Sequence, residues 1–225
     1  MNTTPKALLV GASGLIGKQC LNLLLSDPYY SEVEIWVRKS LSVSHPKLKE
    51  TIIDFDTMEA QTTEARSLFC CLGTTIKRAG SQQAFVKVDH DYVMSLAKVA
   101  KKSGAHNFLV ISSIGANSAS GNFYLRTKGT MEDDLKTAGI PAVSILRPSF
   151  LMGHRDEKRT GEAIAKVIMS IFGFLMVGGL RKYRGIRDTV VAKAMIHLSK
   201  QELTGFNIVE SGILQGLGRE TSEQG

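Results

Sequence analysis

The segment from Lys6 to Gly17, KALLVGASGLIG, constrains this chain more than any other. A short apolar run passes into glycines at positions 11, 14 and 17 and then into the helical spacing of Leu15, Ile16, Cys20, Leu23 and Leu24. That order reads as a strand, a glycine turn and a helix. Asp27 and Pro28 stop the helix, and residues 33–37 read as a second strand, with Ile35 and Val37 alternating against Glu34 and Trp36. The unit is βαβ. Further strands are expected at 50–54, 67–72, 107–112 and 142–146, with helices over about 82–102 and 121–137.

Strands alternating with helices call for an α/β fold with a mostly parallel sheet, and right-handed crossovers make that sheet doubly wound. Its ligand crevice then lies outside the carboxyl ends of the strands. The glycine turn follows strand one, Arg38 strand two and Gly73 strand four, while Asp54 closes strand three and Ser113 follows strand five. Residues after Pro148 break the alternation and are expected to build the substrate side of the crevice. The chain is read as one domain over 1–217, with a cofactor-binding core at about 1–149 and a substrate-side extension at about 150–217. The composition of 218–225 is that of a disordered tail.

The glycine turn brings backbone close to a phosphate, and the helix behind it points its first amides outward. The spacing Gly11-Ala12-Ser13-Gly14-Leu15-Ile16-Gly17 differs by one residue from the common dinucleotide fingerprint, and its position between strand and helix gives it weight. Lys18 invites a nucleotide-triphosphate reading. That motif also needs glycine where Ala12 stands and a hydroxyl where Gln19 stands, so it is set aside.

After the second strand, an NAD site places an acidic residue on the adenosine ribose, whereas this chain has Arg38-Lys39-Ser40. A guanidinium there can hold the 2′-phosphate of NADP by paired hydrogen bonds, and Lys39 adds charge. NADP(H) is therefore favoured over NAD(H). Asp54 can meet the adenine amino group and Phe55 can flank the ring. A solvated surface pair and a strand-end cap are the plain alternatives for Arg38-Lys39 and Asp54.

Tyr124 and Lys128 stand at i and i+4, on one face of the expected helix. An ammonium beside a phenol favours loss of its proton, which suits proton exchange with a carbonyl or hydroxyl oxygen. Lys128 can also hold the nicotinamide ribose. Ser112 and Ser113 end strand five upstream, where a hydroxyl can bond the reacting oxygen; an exposed helix pair and a turn cap are the plain readings of these residues.

Other chemistries find less support. The net charge of +7 comes from Lys and Arg scattered among Asp and Glu, so no nucleic-acid site is expected. Three cysteines without a CxxC pair form no disulfide framework, and five histidines show no metal-ligand spacing, so no metal is expected. The start of the chain lacks the basic and long apolar regions of a secretory leader, and a reducing, cytoplasmic location is expected. The apolar run 167–180, followed by Arg181, Lys182, Arg184 and Arg187, is shorter than the roughly 18 residues of a spanning helix. It reads as a core helix, with a substrate lid, a homodimer face and a peripheral membrane foot as alternatives.

Taken with CCLGTT at 70–75, VISSIGA, YLRTK and LRPSFLMG at 146–153, the segments GASGLIG and WVRKS resemble the short-chain dehydrogenase/reductase superfamily. The likeness is to its atypical NADP-binding Rossmann branch, which includes the HIV Tat-interacting protein, and it covers nearly the whole chain. It implies cofactor contacts at Gly11, Ser13, Gly14, Leu15, Ile16, Gly17, Arg38, Leu72, Gly73 and Thr74, with Arg147 and Pro148 forming a turn beside the nicotinamide. It implies that Ser113, with Ser112 as rival, orients a small carbonyl or alcohol substrate. Tyr124 is then the general acid/base, and Lys128 binds the ribose. The helix asparagine of many members has no clear match; Asp89 and His90 are the nearest candidates. The expected activity is NADPH-dependent oxidoreduction, and the alternative is a non-catalytic module that senses NADP(H) or binds protein.

Overall fold

The computed structural model describes residues 4–152 and 185–223. In chain order the elements are β1 (Lys6–Val10), α1 (Leu15–Ser26), β2 (Glu32–Val37), β3 (Leu48–Ile52), a 3-10 turn (Phe55–Ala60), β4 (Ser67–Cys70), α2 (Ile76–Ala79) and α3 (Gln82–Val86). They continue with a π turn (Lys87–Asp91), α4 (Tyr92–Lys102), β5 (Asn107–Ile111), α5 (Phe123–Lys136) and β6 (Ala142–Arg147). Last come β7 (Leu151–Met152), β8 (Ile186–Arg187), α6 (Asp188–Ser199), β9 (Gly205–Glu210) and α7 (Ser211–Glu223).

Among the described residues one sheet of seven strands runs in the order β3-β2-β1-β4-β5-β6-β9, and every pairing in it is parallel. This is the doubly wound, Rossmann-type sheet expected from the strand and helix alternation. Its central strands are apolar on both faces because helices cover both. Leu9, Ile35 and Phe69 pack with Leu21 and Leu24 of α1 and Met195 of α6, while Leu8, Trp36 and Leu68 face Phe55, Leu96 and Met131. Strand order reverses between β1 and β4, where Val10 lies opposite Cys70 and the Cys71 amide donates to the Val10 carbonyl at 2.8 Å. The glycine turn and the loop after β4 therefore share one end of the sheet, the place where this topology opens a crevice.

Several expectations need correction. The third strand begins and ends two residues earlier than the expected 50–54, because its ladder to β2 runs from Val33 opposite Leu48 to Val37 opposite Ile52. That frees Asp54 to cap the 3-10 turn. The expected single helix over 82–102 is interrupted by the π turn, which widens the backbone at Asp89.

The alternation does not end at Pro148. α6 buries Val191, Ala192 and Met195 against α1, and β9 adds a parallel strand beside β6, so this part of the chain completes the sheet. Nor is 218–223 a loose tail: it continues α7, which is anchored by the buried Leu214 and by Leu217 packed on the core. The 167–180 run, with Arg181, Lys182 and Arg184, lies outside the described residues. No helix among the described residues is long and apolar enough to cross a membrane.

Candidate active site

At the end of β1 the backbone turns through Gly11 at φ +92°, a left-handed conformation that side chains rarely adopt. A Cβ there would also sit 2.5 Å from the Cys71 carbonyl oxygen, and one on Gly17 would sit 2.0 Å from that of Gly11. Only glycine permits this close approach of turn, helix and neighbouring loop. The Gly14 amide donates to the Gly11 carbonyl (2.9 Å), and the first helical bond of α1 runs from Lys18 to Gly14 (2.9 Å). The amides of Leu15, Ile16 and Gly17 precede that bond, the N-cap Gly14 offers no side-chain acceptor, and the first turn carries no acidic residue. Backbone donors and the helix dipole thus face the crevice without a competing carboxylate, an arrangement that fits a pyrophosphate. Ser13 is exposed beside them.

Arg38 and Lys39 are exposed just past β2, and no described carboxylate pairs with either. The Arg38 guanidinium lies 5.8 Å from the centre of the Phe55 ring, which meets Tyr92 edge-on at 5.6 Å. Asp54 accepts from the Asp56 amide (2.9 Å), so its carboxylate caps the 3-10 turn. The acidic residues of β2 are engaged away from the crevice. Glu32 pairs with Lys6, and the buried Glu34 meets Lys49, Thr51 and Thr63. Lys6, Glu32, Glu34, Lys49 and Thr63 line a cleft of about 420 Å³ at the amino end of the sheet, remote from the glycine turn.

Behind the loop after β4 lies a buried ion pair that the sequence alone did not identify. Lys128 Nζ is 2.8 Å from Asp89 Oδ1, and the other Asp89 oxygen accepts from the Thr74 amide at 2.8 Å. One carboxylate therefore ties the helix that carries Lys128 to the Leu72-Gly73-Thr74 segment. Gly73 is exposed, and Leu72 is buried against the core. Burial works to lower the Lys128 pKa, but the charges of Asp89 and Tyr124 outweigh it, so the ammonium is held above its ordinary 10.5. Lys128 also donates to the Ile111 carbonyl (3.2 Å), which leaves one of its three N–H groups without a described partner. Of the two candidates for the missing asparagine, it is Asp89 that reaches this site; His90 turns away to Asp91 and Asp134, at 2.8 Å each.

Asn122 caps α5 by accepting from the Leu125 amide, which places Tyr124 in the first turn with its ring 5.6 Å from buried Phe85. Just past β5 the two serines differ. The Ser112 hydroxyl donates to the buried Glu132, which also holds Arg147, whereas Ser113 has only a 3.3 Å contact to the Ile114 carbonyl. Ser113 is thus the freer hydroxyl. The Arg147 side chain is held within the protein: its guanidinium donates to Glu132, Glu210 and the Ala116 carbonyl. The carbonyl of the buried Pro148 accepts from the Ile114 amide (3.0 Å), a structural turn beside Ser113.

Residues 11–170 match a family model described as NAD(P)H-binding. Protein HTATIP2 of Rattus norvegicus is 31% identical over 95% of this chain and 89% of its own length. Protein FMP52, mitochondrial, of Debaryomyces hansenii is 30% identical over 88% of this chain and 89% of its own. A short-chain dehydrogenase/reductase family oxidoreductase from Burkholderia thailandensis shares the fold with a TM-score of 0.65 at 17% identity, covering 99% and 97% of the two chains. A UDP-N-acetylglucosamine 4-epimerase from Methanobrevibacter ruminantium reaches 0.69 at 18% identity over 98% and 82%. The mitochondrial naming of the Debaryomyces protein, and of a 31% identical relative in Emericella nidulans, overturns the expectation of a cytoplasmic location.

Proposed function

The chain belongs to the NAD(P)H-binding family, as an atypical Rossmann protein of the short-chain dehydrogenase/reductase type, and we propose that it is an NADPH-dependent oxidoreductase for a carbonyl or alcohol substrate. The observation that carries this reading is the Lys128–Asp89 pair, buried one helical turn from Tyr124. An ion pair in the interior costs desolvation and is weak as a device for stability, so its position beside a phenol at the crevice supports a chemical role.

In this reading the amides of Leu15, Ile16 and Gly17 hold the pyrophosphate, and Leu72, Gly73 and Thr74 line its far side. Arg38, with Lys39, takes the 2′-phosphate, and an exposed guanidinium at the end of β2 with no carboxylate partner among the described residues supports NADPH over NADH. When bound, the nicotinamide supplies or accepts a hydride. Tyr124 gives its proton to the substrate oxygen during reduction and takes it back during oxidation. Ser113 donates a hydrogen bond to that oxygen. Lys128 stabilises negative charge as it develops on the phenol and offers its remaining N–H to the ribose, while Asp89 keeps the ammonium charged and in place.

The test is NADPH oxidation against a panel of carbonyl compounds, comparing wild type with Tyr124→Phe after both are shown to bind NADPH. The reading expects a fall of about 10²-fold or more with binding retained. Equal rates in the two proteins would overturn it and favour a cofactor-sensing module.

A further inference from the structure

Directly behind the glycine turn, three sulfur atoms from three elements converge. Cys20 Sγ of α1, Cys71 Sγ of the loop after β4 and Met195 Sδ of α6 are 3.9 Å apart in each of the three pairings. They form an equilateral triangle. Its centre lies about 2.3 Å from every corner, which is the length of a metal–thiolate bond (Zn–S about 2.3 Å). Both cysteines are free thiols.

From this geometry we propose that Cys20, Cys71 and Met195 form a trigonal site for a soft monovalent cation, Cu(I). Two thiolates and a thioether are the donor set that selects Cu(I) over harder ions. Structural zinc is tetrahedral and needs a fourth ligand, and among the described residues no group of three or more His, Cys, Asp or Glu could hold a metal. Cys20 and Met195 share one apolar cluster with Ile16, Leu24 and Val191, and Cys71 packs against it, surroundings that favour a soft ion over a hard one. Cys20 and Met195 are fully buried, while Cys71 is half-buried. On loading, each thiol releases its proton to solvent and the ion stays Cu(I), so no electron moves. Cys70, one residue away, belongs to the core on the opposite face of the sheet and takes no part.

The site also touches the dinucleotide turn, because the Cys71 backbone is the surface on which Gly11 packs. Loading would fix α1, α6 and the β4 loop to one another. The inference stands whether or not the oxidoreductase reading holds.

The experiment is an anaerobic titration of the full chain with Cu(I) held in a bicinchoninate complex, followed by X-ray absorption at the copper edge. Wild type is expected to withdraw one equivalent of Cu(I) and to show three sulfur neighbours at about 2.3 Å. Cys71→Ser should lose this uptake. Met195→Leu conserves volume and is expected to fold; it should keep one equivalent with two sulfur neighbours and at least tenfold weaker affinity. The proposal is overturned if wild type leaves the copper with the chelator, if Cys71→Ser takes up as much as wild type, or if wild-type copper has other than three sulfur neighbours.

Discussion

Lys128 Nζ and Asp89 Oδ1 lie 2.8 Å apart in the interior, with side chains 4% and 2% exposed, at the carboxyl end of a parallel sheet. The pair joins α5 to the π turn, and through Thr74 it reaches the loop after β4. Removing one member of such a pair strands the other charge, at a cost of about 3–5 kcal/mol. Asp89→Ala should therefore lower the urea unfolding free energy by about that amount. Asp89→Asn, which can still accept from the Thr74 amide, should lose less.

The same pair sets a pH dependence at the alkaline side. Lys128 is held above 10.5 when folded, so its stabilising contribution is fully present below pH 10.5 and is lost as the pH rises through the folded value. Urea titrations from pH 9 upward should show the wild type declining through a component that Lys128→Met lacks. Identical declines in the two proteins would contradict the assignment.

Gly11→Ala places a side chain at φ +92° and 2.5 Å from backbone oxygen, so the turn must move. The conformational penalty alone is about 1–2 kcal/mol. Dinucleotide binding should fall at least tenfold by calorimetry, whereas Gly80→Ala, also at positive φ but with open space around it, should leave binding unchanged.

Arg38→Ala should weaken NADPH by about 10- to 100-fold, the value of one hydrogen bond to a charged group at about 1.5–3 kcal/mol. NADH affinity should stay within twofold. A parallel loss for both cofactors would place Arg38 elsewhere than at the 2′-phosphate.

Arg147→Met leaves Glu132 buried without its guanidinium, so stability should fall by about 3–5 kcal/mol. NADPH affinity of the folded variant should not change, because the guanidinium is held by Glu132, Glu210 and the Ala116 carbonyl. Thermal unfolding and calorimetry on one preparation check both halves.

Much of this fold was legible in the sequence because it rests on local patterns. Apolar runs such as ALLV and SLFC mark strands covered on both faces, and Gly11 and Gly17 of the first turn sit where only glycine fits. Tyr124 and Lys128 were readable as an i, i+4 pair. What was not legible depends on contacts distant in sequence. Asp89 reaches Lys128 across 39 positions through a π turn that no spacing rule foresees, and Arg147 finds Glu132 and Glu210 by folding alone. The last strand and helices were missed because the apolar run at 167–180 obscured the return to alternation. Met195, the third sulfur of the cluster behind the glycine turn, likewise looks like ordinary core in the sequence.

The account depends most on a dinucleotide lying on the first amides of α1 with its extra phosphate at Arg38. Isothermal titration calorimetry of the folded wild-type protein with NADPH and with NADH tests this directly. One molecule of NADPH per chain, bound at least tenfold more tightly than NADH, is the predicted result. No heat with either dinucleotide, or a preference for NADH, would contradict it.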